Sequence, residues 1–303
     1  MAQRLCIMNI GAHPADLIDD AGGTTIIHTD RGDRVVAVTL TVGTRVHDKV
    51  LDQLRNEQQL PDKADMVALF EQRARTKRQE VIDACGLLGV DEVHFLTYDE
   101  QFMSVTEQLV LELAALIRGV RPDIVVTHFP LDGGGIACDH ATTGKITMHA
   151  IRAAASIDPG DRNPQHRVAQ VFFRGISSVM TRGDVLSAQP HMFCDVYVDI
   201  SEVIDRKVRA IDQLSSQNYT GPVTRKMLET YDGILGTTVG VAYAESFMRH
   251  HPVVYGALPL DDFTRRRAAE TEKEFIDRSS RMWVHALPVT PRDTPTDDAQ
   301  PTK

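Results

Sequence analysis

The most constraining feature of the chain is a short apolar run that stops abruptly. Residues 5–10 (Leu-Cys-Ile-Met-Asn-Ile) have the length and composition of a buried strand, and Gly11 ends them. Residues 20–30 then read as a helix that Gly32 stops, and residues 34–42 (Arg-Val-Val-Ala-Val-Thr-Leu-Thr-Val) form a β-branched run. Strand, helix and strand in that order make a βαβ unit, and the alternation continues. Helical spacing over 64–88 precedes a strand at 92–96. A helix at 105–117 precedes a strand at 124–127, and 140–155 is helical again. Alternation of this kind predicts an α/β fold, a mainly parallel sheet with helices on both faces.

Past residues 158–161 (Asp-Pro-Gly-Asp) the pattern changes. Strands are expected at 168–173 and 193–200, and an amphipathic helix at 201–216 with Ser201 as its N-cap. Helical signals follow at 226–235 and 243–249, and 265–280 reads as a charged surface helix. Residues 50–64 read as a loop or partly helical insertion. Residues 288–303, rich in Pro, Thr and Asp, are expected to be a disordered tail, which leaves 1–287 as one domain.

The first strand exits into Gly11-Ala12-His13-Pro14-Ala15-Asp16, and in open α/β sheets ligands gather beyond the carboxyl ends of the strands. His13 and Asp16 can face one metal ion there, although Asp16 capping the next helix would look the same in sequence. Asp139-His140, after the 124–127 strand, supplies a third donor. His13, Asp16 and His140 would leave a position open for water, which is the pattern of a catalytic zinc site. Asp139 is either a proton-transfer group, an orienting partner for an imidazole, or a helix cap. His47 and Asp48, after the second strand, are further candidates for proton transfer. Arg45 at that strand exit suits a substrate carboxylate. His128 and Asp132 sit on the same rim, and His128 is a candidate to touch substrate.

The formal net charge of -9 argues against general nucleic-acid binding but not against a small, even carboxylated, substrate. Four cysteines without CxxC spacing fit reduced thiols. With no signal-like opening and no run long enough to cross a bilayer, a cytoplasmic location and no membrane partner are expected.

On residues 12–16 with Ala21-Gly22-Gly23, Asp139-His140, residues 198–207 with Ser216-Gln217, and Tyr243-Ala244-Glu245-Ser246-Phe247, the chain resembles the LmbE-like, or PIG-L, family of zinc-dependent enzymes. The resemblance implies a Rossmann-like fold, Zn2+ on His13, Asp16 and His140, and a small-molecule substrate; homo-oligomers are common in the family. It also exposes two departures. The family's deacetylases use a carboxylate where this chain has Ala15, and usually a histidine where it has Ala137. General acid–base help is typically worth about 10²–10⁴-fold. Three readings follow. One is a hydrolase of an N-acyl C–N bond with a substitute base drawn from Asp139, His47 and Asp48. Another is a hydratase or lyase similar to the branch that hydrates 4-oxalomesaconate, which shares the alanine. The third is a binding protein that keeps the metal ligands without the chemistry.

Overall fold

The computed structural model describes residues 4–58, 61–96, 98, 100–131, 138–175, 194–217 and 219–282. Five strands run parallel: β1 (Cys6–Gly11), β2 (Arg34–Thr39), β3 (Glu92–Phe95), β4 (Ile124–His128) and β5 (Gln170–Arg174). Two more, β6 (Val196–Asp199) and β7 (Ala244–Arg249), extend the sheet with antiparallel pairings, giving the order β3-β2-β1-β4-β5-β7-β6. The expected mainly parallel, Rossmann-like sheet is present.

Alternation along each strand divides the core between the two faces. Ile7, Val35, Ala37 and Val126 pack on one side, where residues of α1 (Gly22–Asp30), α3 (Lys63–Leu87) and α6 (Ile204–Ile211) cover them. Met8, Ile10, Val36, Val38 and Val125 pack on the other, against α4 (Glu107–Val120) and α5 (Asp139–Ala154). Burial on both faces is why these strands read as continuous apolar runs.

Several local expectations change. The 50–64 stretch opens with a helix, α2 (Lys49–Asn56), which Asp48 caps by accepting from Val50 and Leu51 N–H. The 201–216 helix is only α6 plus a 3-10 turn, Ser215–Gln217. Ser201 does not cap it; its hydroxyl donates to Asp199 and accepts from Tyr243 N–H instead. The 226–235 helix is two, α7 (Pro222–Thr230) and α8 (Asp232–Val239), joined at Tyr231. The charged 265–280 helix is also two, α9 (Asp262–Ala268) and α10 (Glu272–Ser279), the second begun by a capping box on Thr271 and Glu274. Residues 243–249 are not helical: they form β7. The tail at 288–303, Asp132, Ala137 and most of 175–192 lie outside the described residues.

β1 and β4 are neighbours, and the chain leaves them for opposite sides of the sheet, β2 lying beyond β1 and β5 beyond β4. The crevice at their carboxyl ends is the topological switch point, where ligands bind in folds of this kind.

Candidate active site

At that switch point the loop after β1 folds on itself. His13 N–H donates to Asp16 Oδ2 at 2.7 Å, so the imidazole and the carboxylate are set by one short turn. β4 ends in His128, fully buried, whose Nε2 lies 3.0 Å from the same Asp16 oxygen. α5 begins directly above it, and His140 in its first turn stacks flat on His128, ring centroids 4.2 Å apart. His140 Nε2 is 3.5 Å from Asp16 Oδ1. Gly144, one turn further along α5, makes this approach feasible: a Cβ there would sit 2.5 Å from the His128 carbonyl oxygen.

One ligand atom each from His13, Asp16 and His140 lies within 4.8 Å of the others. His13 Nε2 is buried without a hydrogen-bond partner; its nearest acidic neighbour is Asp139 Oδ2 at 3.4 Å. An orphaned ring nitrogen beside a second imidazole and a carboxylate is a donor set that fits a divalent cation such as zinc.

Local fields divide the ionisable groups. Burial alone would raise the Asp16 carboxyl, but the surrounding His140 and His128 hold it well below the usual carboxylate range. Burial pulls His13 down, yet the carboxylates of Asp139 and Asp16 outweigh it and lift the imidazole to about 9. Burial pushes His128 down to about 3 and His47 to about 4, so both are neutral near pH 7. His128 Nε2 stands 3.0 Å from Asp16 Oδ2 and 3.4 Å from the Ala12 N–H, and its Nδ1 is buried without a hydrogen-bond partner.

The other sequence candidates divide. Asp139 is in place beside His13. His47 lines the cleft, its ring edge-on to His13 at 4.9 Å. Its loop is held by Lys77, which donates to the His47 carbonyl at 2.8 Å, and by Glu100, which accepts the Arg45 and Val46 N–H groups. Asp48 is buried, caps α2 and is bound by Arg73 Nε at 2.9 Å, and it does not line the cleft. Arg45 lies outside the cleft lining and places its exposed guanidinium over the Phe70 ring. The expectation of a carboxylated substrate rested on Arg45 alone. His128, sealed beneath His140, orients Asp16 and does not face the cleft.

The cleft encloses about 1140 Å³ of free space, its open mouth included. In and around it, beyond the histidines, stand Glu245, named above in the resemblance, and groups that the sequence reading did not single out. Asp19 and Asp20 line it, both carboxyls pushed up, Asp19 well above its ordinary range, by burial and by neighbouring carboxylates. Arg174, buried at the end of β5, donates to Asn9 and to the Ile10 carbonyl, close under Gly11. Across the cleft, Glu245 on β7 accepts from Gly23 and Thr24 N–H at 2.7 Å each, which caps α1, and Lys207 joins Glu245 to Asp232 at 2.8 and 2.7 Å. Asp19 and Asp20 were within reach of sequence reasoning, since they follow the motif in the same turn. Arg174 sits at a strand exit, a position worth searching.

Residues 8–151 match the family described as PIG-L, GlcNAc-PI de-N-acetylase. A 1D-myo-inositol 2-acetamido-2-deoxy-alpha-D-glucopyranoside deacetylase from Mycobacterium sp. (strain KMS) is 30% identical over 248 residues, covering 70% of this chain and 73% of that protein. The 4-oxalmesaconate hydratase of Pseudomonas putida KT2440 is 25% identical over 218 residues, covering 69% and 73%. The crystal structure of GalB, the 4-carboxy-2-hydroxymuconate hydratase of Pseudomonas putida KT2440, has the same fold, with a TM-score of 0.65 at 20% identity over 84% of this chain and 100% of that one.

Proposed function

Because this chain belongs to the PIG-L, or LmbE-like, family, whose relatives here are deacetylases and a hydratase, we propose that it is a zinc-dependent hydrolase of the amide bond in a small N-acyl compound. The observation that carries this reading is the His13, Asp16 and His140 donor set at the switch point, with Asp139 Oδ2 3.4 Å from His13 Nε2 to handle a proton, in a chain 30% identical over 248 residues to a deacetylase.

His13, Asp16 and His140 would hold the metal, which when bound supplies a Lewis acid and brings the pKa of water toward about 7. His128 fixes Asp16 through its Nε2. Asp139, its side chain 21% exposed beside His13, stands in for the carboxylate missing at Ala15. It takes a proton from the attacking water and returns it to the leaving nitrogen. Neutral His47 donates an N–H to the carbonyl oxygen as negative charge develops there.

The hydratase reading has one observation in its favour. Ala15 lies buried in the cleft wall where the family's deacetylases carry their base, and hydration has no leaving amine to protonate. Two measurements decide. Metal analysis by mass spectrometry should find about one zinc per chain, lost in His140→Ala; no bound metal and no uptake on titration would overturn both enzyme readings. Amine release from a panel of N-acyl compounds then supports hydrolysis. Loss of ultraviolet absorbance from conjugated keto-acids, with no amine released, would replace it with hydration.

A further inference from the structure

One polar side chain in the cleft wall is left without a partner. Gln217 ends the 3-10 turn Ser215–Gln217 and lines the same cleft as His13, Asp16 and His140. It is 8% exposed, and neither its amide nitrogen nor its amide oxygen has a hydrogen-bond partner. Buried carboxamides are nearly always satisfied, so an orphaned one in a binding cleft points to a ligand that satisfies it.

Its placement is fixed by neighbours. Glu80 on α3 grips the turn three times: Ser215 Oγ donates to it at 2.8 Å, Ser216 N–H at 2.9 Å and Ser216 Oγ at 2.6 Å. Gln217 N–H closes the turn on the Leu214 carbonyl at 3.0 Å. The backbone beneath the side chain is therefore tied down while the carboxamide itself is unsatisfied, which is the arrangement of a preorganised binding group. Ile211, Met227, Leu228, Ile234 and Leu235 add apolar side chains to the same lining, with Tyr219 and Tyr231 among them.

We propose that Gln217 is a substrate-binding residue, its Nε2–H donating to a carbonyl oxygen and its Oε1 accepting an N–H or O–H on the same molecule. The class of ligand follows from the chemistry of the carboxamide, which offers one donor edge and one acceptor edge side by side. A neutral secondary amide, with its C=O and N–H, matches both edges. An ionised carboxylate has acceptors only and leaves Oε1 unpaired. The wall of tyrosine and leucine adds that the amide carries an apolar substituent. The identity of that amide rests on the hydrolase reading; the role of Gln217 does not.

The test uses the purified protein, N-butylacetamide and butyrate as probes, and the near-isosteric variant Gln217→Met. Ligand-observed NMR should show N-butylacetamide binding to wild type at least about tenfold more weakly to the variant, with butyrate binding unaffected, as expected for loss of a hydrogen-bonding partner. The thermal midpoint of the ligand-free variant should equal or exceed that of wild type, because an unsatisfied buried group has been removed. A lower midpoint with unchanged amide binding would make Gln217 a structural residue and overturn the proposal. If the variant fails to fold, Gln217→Glu, which keeps an acceptor edge and loses the Nε2–H donor, replaces it: weakened N-butylacetamide binding supports the proposal, and unchanged binding overturns it. Gln217-dependent amide binding without turnover of any N-acyl compound would sink the hydrolase reading alone. Turnover indifferent to Gln217→Met would sink this proposal alone.

Discussion

At the scale of single residues, the site depends as much on what is absent as on what is present. Gly144 lets α5 descend until His140 lies on His128 and reaches Asp16. The atom that a Cβ would strike is a backbone carbonyl oxygen, which cannot rotate away. Gly144→Ala should therefore lower unfolding free energy by about 1–3 kcal/mol, the usual range for overpacking. It should also weaken retention of any metal held by His13, Asp16 and His140, because His140 moves with the helix. Urea denaturation and metal analysis of the purified variant check both effects; unchanged stability with wild-type metal content would show that α5 adjusts at no cost. His13, Asp16, Asp139 and His140 were legible in sequence because local chain geometry presents them: a strand exit and a helix start. Asp48 misled for the same reason. A polar residue in a rim loop looks the same whether it transfers protons or caps α2 and binds Arg73, and only the distant α3 decides.

At the scale of elements, the parallel strands and their covering helices were readable from periodicity, whereas the antiparallel addition was not. Residues 243–249 contain Ala, Glu and Met, which favour helices, yet they form β7 because they are sandwiched between β5 and β6. Tertiary pairing overrides a weak local preference over so short a span. The same addition assembles a buried ion cluster from β7, α6 and α8 that no spacing rule announces. Lys207 serves two carboxyls, and Glu245 has two further N–H partners while Asp232 has Lys207. Burial pushes the Asp232 carboxyl up, Lys207 opposing and Glu245 reinforcing, to about 7. The folded chain thus keeps a proton that the unfolded chain releases near pH 4. The stabilisation this group supplies is full below about pH 4 and lost as pH rises through 7, roughly 4 kcal/mol at most. In Asp232→Asn that dependence disappears. The stability of the variant relative to wild type should climb between pH 4 and 7 and stay level above, as measured by urea unfolding at pH 5 and pH 8. A relative stability that stays flat over this interval would mean that Asp232 is ionised throughout.

At the scale of the whole molecule, the net charge of -9 sets the sign of the field that a ligand meets on approach. Cationic ligands should be drawn in and anionic ones excluded. Butylamine is expected to compete with an N-acyl substrate more strongly than butyrate does. That inhibition should weaken several-fold as ionic strength rises from 0.01 to 0.15 M, over which the Debye length falls from about 30 to about 8 Å. Steady-state inhibition at the two salt concentrations checks it, and stronger inhibition by butyrate would count against the electrostatic argument.

The cap on α1 also bears on how the molecule is made. Glu245 binds Gly23 from 222 residues further along the chain, and the loop carrying His13 and Asp16 leads directly into that helix. On a ribosome, the first βαβ unit emerges long before its cap exists. Contacts of such sequence separation form late and slow the search for the native state. The amino-terminal half can collapse early around its own core, but the cleft is finished only when the last described strand docks. A nascent chain arrested before residue 245 would therefore hold all three candidate metal ligands without the strand that closes the far wall of their cleft.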